Sequence, residues 1–144
     1  MRGGHEGALR VVFDTNVLIS ALGFKGRATA TLWELVDDGK IELFASPFIL
    51  QELLRNLIDK AEFSPGDAKE LVEMVAAAAQ VVTPKETVSV VTRKDSDNRI
   101  LECALEARAS VLVTGNMEHL RPLGEFQGVE ILTPRELLTK HFPP

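Results

Sequence analysis

Several things that would mark a compartment or a chemistry are scarce in this sequence. It holds one cysteine in 144 residues, so no internal disulfide can form. A chain without disulfides suits a reducing compartment, and a cytoplasmic location is expected. No apolar run approaches the ~18–20 residues that span a bilayer, and the opening residues lack a secretory signal pattern. No membrane partner is expected. There is no internal repeat and no low-complexity tract. Positive charge is short as well: 16 Lys and Arg stand against 21 Asp and Glu, a formal net charge of -5. That balance argues against a general nucleic-acid binder, which is usually basic. It leaves room for a nuclease, because acids gathered for a metal are negative until the cation arrives.

What is present is an ordinary globular composition, 45% hydrophobic and 26% charged. A single domain over 1–144 is expected, with 1–8 a flexible tail and 141–144 a C-terminal tail. Such a length buries roughly two-thirds of the unfolded surface. The chain is organised around Leu9–Ser20. There a β-branched, apolar run stops at Asp14, passes Thr15 and Asn16, and resumes at helical spacing. The pattern predicts a buried strand, a tight turn and a helix, with Thr15 or Asn16 as N-cap. It places the Asp14 carboxylate at the carboxyl end of a strand, where open α/β sheets bind ligands. Capping by Asp14 itself is the plainer alternative.

After a break at Gly23–Gly26, the residues Ala28–Asp38 predict a helix closed by Gly39, with Trp33 on its apolar face. Ile41–Ala45 predicts a second strand. Ser46-Pro47 then starts a helix reaching about Lys60, whose stripe is Ile49, Leu50, Leu53, Leu54, Leu57 and Ile58. Glu52 lies at the edge of that stripe. Ser64-Pro65 starts another helix, to about Ala79. Gln80–Thr83 predicts a third strand, and Lys85–Lys94 carries no pattern beyond a loop with a possible short strand. Asp95-Ser96-Asp97-Asn98 opens a helix, where acids are also favoured by the helix dipole alone. Cys103 falls in its apolar stripe and should be buried and inert. Val111–Val113 and Val129–Leu132 predict the last two strands, and Thr133-Pro134 starts a closing helix to about Lys140. His5 and His141 fall in the two tails.

Strands alternating with helices predict an α/β fold with a mainly parallel sheet of about five strands. Right-handed crossovers then bring distant acids to one rim. Asp14 and Asn116 sit at strand carboxyl ends, Glu52 on the second turn of a helix leaving that edge, and Asp95 and Asp97 at the head of another. Like charges gathered there repel unless a cation neutralises them. An all-oxygen donor set points to Mg²⁺ or Mn²⁺.

The stretches Val12–Val17, Ser46–Leu53, Asp95–Ala104 and Val113–Asn116 carry a family resemblance. The chain resembles a PIN domain, in particular the small prokaryotic PIN proteins grouped with VapC-type toxins of toxin–antitoxin pairs. The likeness frames the chain from Arg10 to about Leu138. It implies a three-layer α/β/α fold and a metal-dependent endoribonuclease cutting single-stranded or structured RNA. Asp14, Glu52 and Asp97 would then be the catalytic, metal-holding acids. Many members carry a fourth acid where this chain has Asn116. The carbonyl of Asn116, Asp95 or Glu118 are the candidates for that place. Thr15, Asn16 and Thr114 are expected to orient ligands or water around the acids. Arg93, Lys94, Arg99 and Arg121 are expected to hold RNA phosphates. An antitoxin protein and a second copy of the chain are the expected partners, docking near Trp33 and Leu57.

Two other readings compete. Phosphoryl-accepting α/β proteins also place an acid after the first strand. Their phosphatases want a second Asp two positions on, where Asn16 stands, and their receivers want a Lys where Thr133-Pro134 stands. A non-catalytic PIN-like module that binds RNA or protein is the stronger alternative, given Asn116.

Overall fold

The structure, a computed structural model, describes residues 7–23, 26–91 and 94–144. Six strands form one sheet: β1 (Leu9–Phe13), β2 (Ile41–Ala45), β3 (Gln80–Val81), β4 (Val111–Val113), β5 (Glu125–Phe126) and β6 (Val129–Leu132). Their order is β3-β2-β1-β4-β6-β5, and only the β5–β6 pair is antiparallel. Helices α1 (Thr15–Leu22), α2 (Arg27–Asp37), α3 (Pro47–Asp59), α4 (Pro65–Ala78), α5 (Asp95–Glu106) and α6 (Pro134–His141) flank it. This is the expected α/β architecture with one strand more.

The central strands read as near-continuous apolar runs because both faces are covered. Val11, Val12, Phe13, Leu43, Phe44 and Val111–Val113 are all almost wholly buried. The helices close on them with Leu18, Leu32, Ile49, Leu53, Leu57 and Leu101. Proline at the first helical position follows the caps Ser46, Ser64 and Thr133, each of which accepts an amide hydrogen bond in its own first turn.

Some expectations are corrected. The cap of α1 is Asp14, not Thr15 or Asn16: its side chain accepts from the Val17 amide. The third strand is two residues long. The extra strand, β5, turns into β6 through Gln127 and Gly128, both at positive φ (49° and 88°), a hairpin conformation that favours glycine. His141 and Phe142 are not tail: His141 ends α6 and bonds Glu130 at 3.0 Å, while Phe142 packs on the core. Leu57 is fully buried, and Trp33 is partly buried against the core. The expected N-terminal tail falls largely on residues 1–6, including His5, outside the described residues. Among the described residues, no helix is long and apolar enough to cross a membrane.

Candidate active site

β1 is flanked by β2 on one side and β4 on the other, so the chain reverses its direction of travel across the sheet at β1 and β4. Crossovers lead away from such a point on opposite faces and leave a crevice at the strand carboxyl ends. Asp14 follows β1 into that crevice, and Thr114 follows β4.

Asp14 is buried to 4% exposure and does more than cap a helix. Its Oδ1 accepts from the Val17 amide at 2.8 Å. Its Oδ2 reaches across to β4 and accepts from the Thr114 hydroxyl at 2.5 Å and the Gly115 amide at 3.3 Å. Burial pushes the Asp14 carboxyl above its ordinary value of 3.8, against the pull of those hydrogen bonds, and the charge of Asp97 adds to the rise. Asp97, in the first turn of α5, is 3% exposed. Burial raises its pKa as well, opposed by the charges of Lys94 and His119 and by a hydrogen bond from Asn116. Two desolvated carboxylates therefore line one cleft.

Asn116 is not placed as an open ligand. Its Oδ1 accepts from the amides of Glu118 (3.0 Å) and His119 (2.9 Å), which turns its Nδ2 onto Asp97 Oδ2 at 3.0 Å. Glu52 is on the cleft wall, but its carboxylate is held by Arg55 at 2.5 and 2.7 Å. Among the described residues, no three His, Cys, Asp or Glu side chains stand close enough together to hold a metal ion. The donor chemistry still suits a hard divalent cation. A carboxylate has about four acceptor positions; Asp14 uses three and Asp97 uses one. Asp14 and Asp97 are the residues that could offer two ligands as they stand, and Glu52 could offer a third only on leaving Arg55.

The cleft has a volume of about 510 Å³. Thr15, Asn16 and Lys94 line it. Phe48, Arg55, Asn56, Lys60 and Ser96 line it too, and sequence reasoning missed them. The signal was there in α3: Phe48, Glu52, Asn56 and Lys60 repeat at four-residue spacing, one stripe of a helix.

Other expected residues are placed elsewhere. Asp95 is exposed and pairs with Arg99 at 3.4 Å. Glu118 points to solvent, its side chain 87% exposed. Arg99 is tied to Glu102 (2.8 Å) and to the Val88 carbonyl (3.0 Å), and Arg121 forms a forked pair with Glu136 (2.8 and 2.9 Å). Arg93 lies outside the described residues. Cys103 is buried, and burial pushes its thiol up to about 12, as an inert core cysteine requires.

The family model for the PIN domain matches residues 10–118, which spans the crevice and every wall of the cleft. The chain belongs to the PIN domain family. PIN domains are generally nucleases that use divalent metal ions. MJ1680, an uncharacterised protein of Methanocaldococcus jannaschii, is 29% identical over 113 residues, covering 76% of this chain and 72% of its own length. The fold is that of VapBC-1 from nontypeable Haemophilus influenzae, with TM-score 0.63, 17% identity and coverage of 88% of this PIN domain and 99% of that chain. VapBC2 from Rickettsia felis, solved bound to a DNA fragment from its promoter, matches with TM-score 0.62 and 12% identity, over 85% and 97% of the two chains. PAE2754 from Pyrobaculum aerophilum matches with TM-score 0.58 and 18% identity, over 93% and 92%.

Proposed function

We propose that this PIN domain is a Mg²⁺- or Mn²⁺-dependent endoribonuclease, acting in the cytoplasm as the toxin of a toxin–antitoxin pair. The observation that carries it is the pair of buried, mutually repelling carboxylates of Asp14 and Asp97 at the β1/β4 crevice. Evolution has little structural reason to bury two like charges together, since each costs stability. Asp14, Asp97 and Glu52 would hold the ion, which when bound offsets their charge and polarises a phosphate. Thr114 fixes the plane of the Asp14 carboxylate, and Asn116 fixes Asp97. Lys94, Arg55 and Lys60 line the same cleft and hold the RNA backbone. Thr15 and Asn16 close the crevice beside Asp14 and orient what enters. An antitoxin and a second copy of the chain are the partners this reading takes from its likeness to the VapBC structures.

The test is cleavage of a single-stranded RNA in Mn²⁺ or Mg²⁺, with EDTA as control. Asp14→Asn and Asp97→Asn should each reduce the rate at least a hundredfold, on the order expected when a ligand of a catalytic ion is lost. Equal cutting by parent and variants would sink this assignment. The hold of Arg55 on Glu52 favours a second reading, a PIN module that binds RNA or protein without cutting it. Binding without cleavage in any divalent ion would select that one.

A further inference from the structure

Phe48 is out of place for an aromatic residue in a protein with seven phenylalanines. It occupies the second position of α3 and lines the acid cleft. Its neighbours Ile49 and Leu50 join the core or pack on it, whereas Phe48 is not among the core-packed side chains of the described residues. From Phe48 the stripe of α3 runs along the cleft through Glu52, Arg55 and Asn56 to Lys60. At 1.5 Å per residue, the twelve steps from Phe48 to Lys60 extend about 18 Å. An apolar ring therefore stands at the crevice end of the helix, and cations stand further along it. The Arg55 guanidinium engages Glu52 through one nitrogen, Nη2, which leaves other donors for a phosphate. Lys60 makes no ion pair among the described residues.

Resting on the nuclease reading above, we propose that α3 is a track for single-stranded RNA, with Phe48 as the platform on which one unstacked base lies. Arg55 and Lys60 hold the backbone beyond that base. Stacking needs a free base face, and every base has one, so such a platform binds single strands with little regard to sequence. A duplex keeps its bases stacked and paired and has no face to offer. The track therefore selects loops and single strands, and it makes Phe48 a specificity-determining residue. The charge count agrees once the acids are offset. Asp14, Glu52, Asp59 and Asp97 oppose Arg55, Lys60 and Lys94 in the cleft, so removal of one acid charge brings the lining to balance.

The experiment uses the full chain carrying Asp14→Asn, which blocks cutting, keeps a capping side chain on α1 and removes that one charge. Binding of a fluorescent single-stranded 12-mer RNA, and of the same strand in a duplex, is read by anisotropy. The single strand should bind at least tenfold tighter. Adding Phe48→Leu should weaken it five- to a hundredfold and abolish the preference, whereas Phe48→Trp should keep both. Adding Lys60→Ala should lower the slope of log affinity against log salt by about 0.7. The tryptophan variant gives a second readout that does not depend on the leucine variant folding. Its added indole emission, over that of Trp33 alone, should be quenched by RNA. Binding by Phe48→Leu equal to its parent, equal affinity for duplex, or an unquenched indole overturns the track. Residual cutting by Asp14→Asn would instead count against the nuclease assignment, and the binding ratios would still report on Phe48.

Discussion

At the scale of single residues, Asn116 sets how many negative charges gather at the crevice. Its Oδ1 is taken by two loop amides, so the position facing Asp97 is an NH₂ donor. Asn116→Asp keeps both loop bonds and turns a carboxylate oxygen onto Asp97. In EDTA the added repulsion should destabilise the protein by about 1 kcal/mol, roughly one unit of pKa coupling. In Mn²⁺ the same charge should tighten binding, measured by calorimetric titration. Unchanged affinity would mean the loop holds Asn116 clear of the ion. Arg55→Gln tests the other brake on the site. An exposed pair such as Arg55–Glu52 is worth about 0.2–1 kcal/mol, so releasing Glu52 should tighten Mn²⁺ up to about fivefold. Weaker binding in that variant would show that Arg55 supports the site instead. The acids Asp14, Glu52 and Asp97 were legible because strand ends and helix starts fix their edge of the sheet. For Phe48 the four-residue stripe was visible but its facing was not, and Arg55 left no signal, because the face a helix turns to a cleft depends on how it packs.

At the scale of elements, the connection from residue 85 to 91 had no readable period, and the structure shows why. Its backbone amides pair with side chains of a helix, not with a strand. Asn98, Glu102 and Glu106, four apart on α5, accept from the amides of Val91 (2.8 Å), Val88 (2.8 Å) and Lys85 (3.1 Å). Asn98 also donates to the Val91 carbonyl at 2.7 Å, so one buried side chain serves both backbone groups of Val91. Asn98→Ala leaves two polar groups unpaired and should cost about 2–4 kcal/mol in a urea melt. A loss under 0.5 kcal/mol would show that water replaces the strap. β5 was hidden for a different reason: two residues and a Gln-Gly turn are too little pattern to see. α6 was plain from Thr133-Pro134 at its start, and its pair with Arg121 has a pH signature. Arg121 and the Thr133 amide hold Glu136 at about 2, below its ordinary 4.5. A depressed acid stabilises the fold above about 4.5 and loses that contribution as pH falls through about 2. Glu136→Gln should therefore melt lower than the parent at pH 7, and the gap should close near pH 2. A gap independent of pH would mean that packing, not charge, links α6 to the loop.

At the scale of the whole molecule, the alternation of strands and helices was enough to predict the parallel sheet, and the sheet order explains the rest. The reversal at β1 and β4 creates the crevice, and the chain puts Asp14, Thr114 and Asp97 in it. Both acids have pKa values raised above 3.8. Their contribution to stability is thus fullest below about pH 3.8 and is lost as pH rises through the raised values. Ionised together at neutral pH, the two buried carboxylates should weaken the fold, and a cation should offset that cost. The direct measurement is a set of thermal melts at pH 7 of the parent and of Asp97→Asn, each in EDTA and in excess Mn²⁺. In EDTA the variant should melt above the parent, having one buried charge fewer. Mn²⁺ should raise the parent by several degrees, since ligand at a hundred times its Kd adds about 2.7 kcal/mol, and should move the variant much less. Four equal melting temperatures would contradict the claim that these acids are built to hold a metal ion.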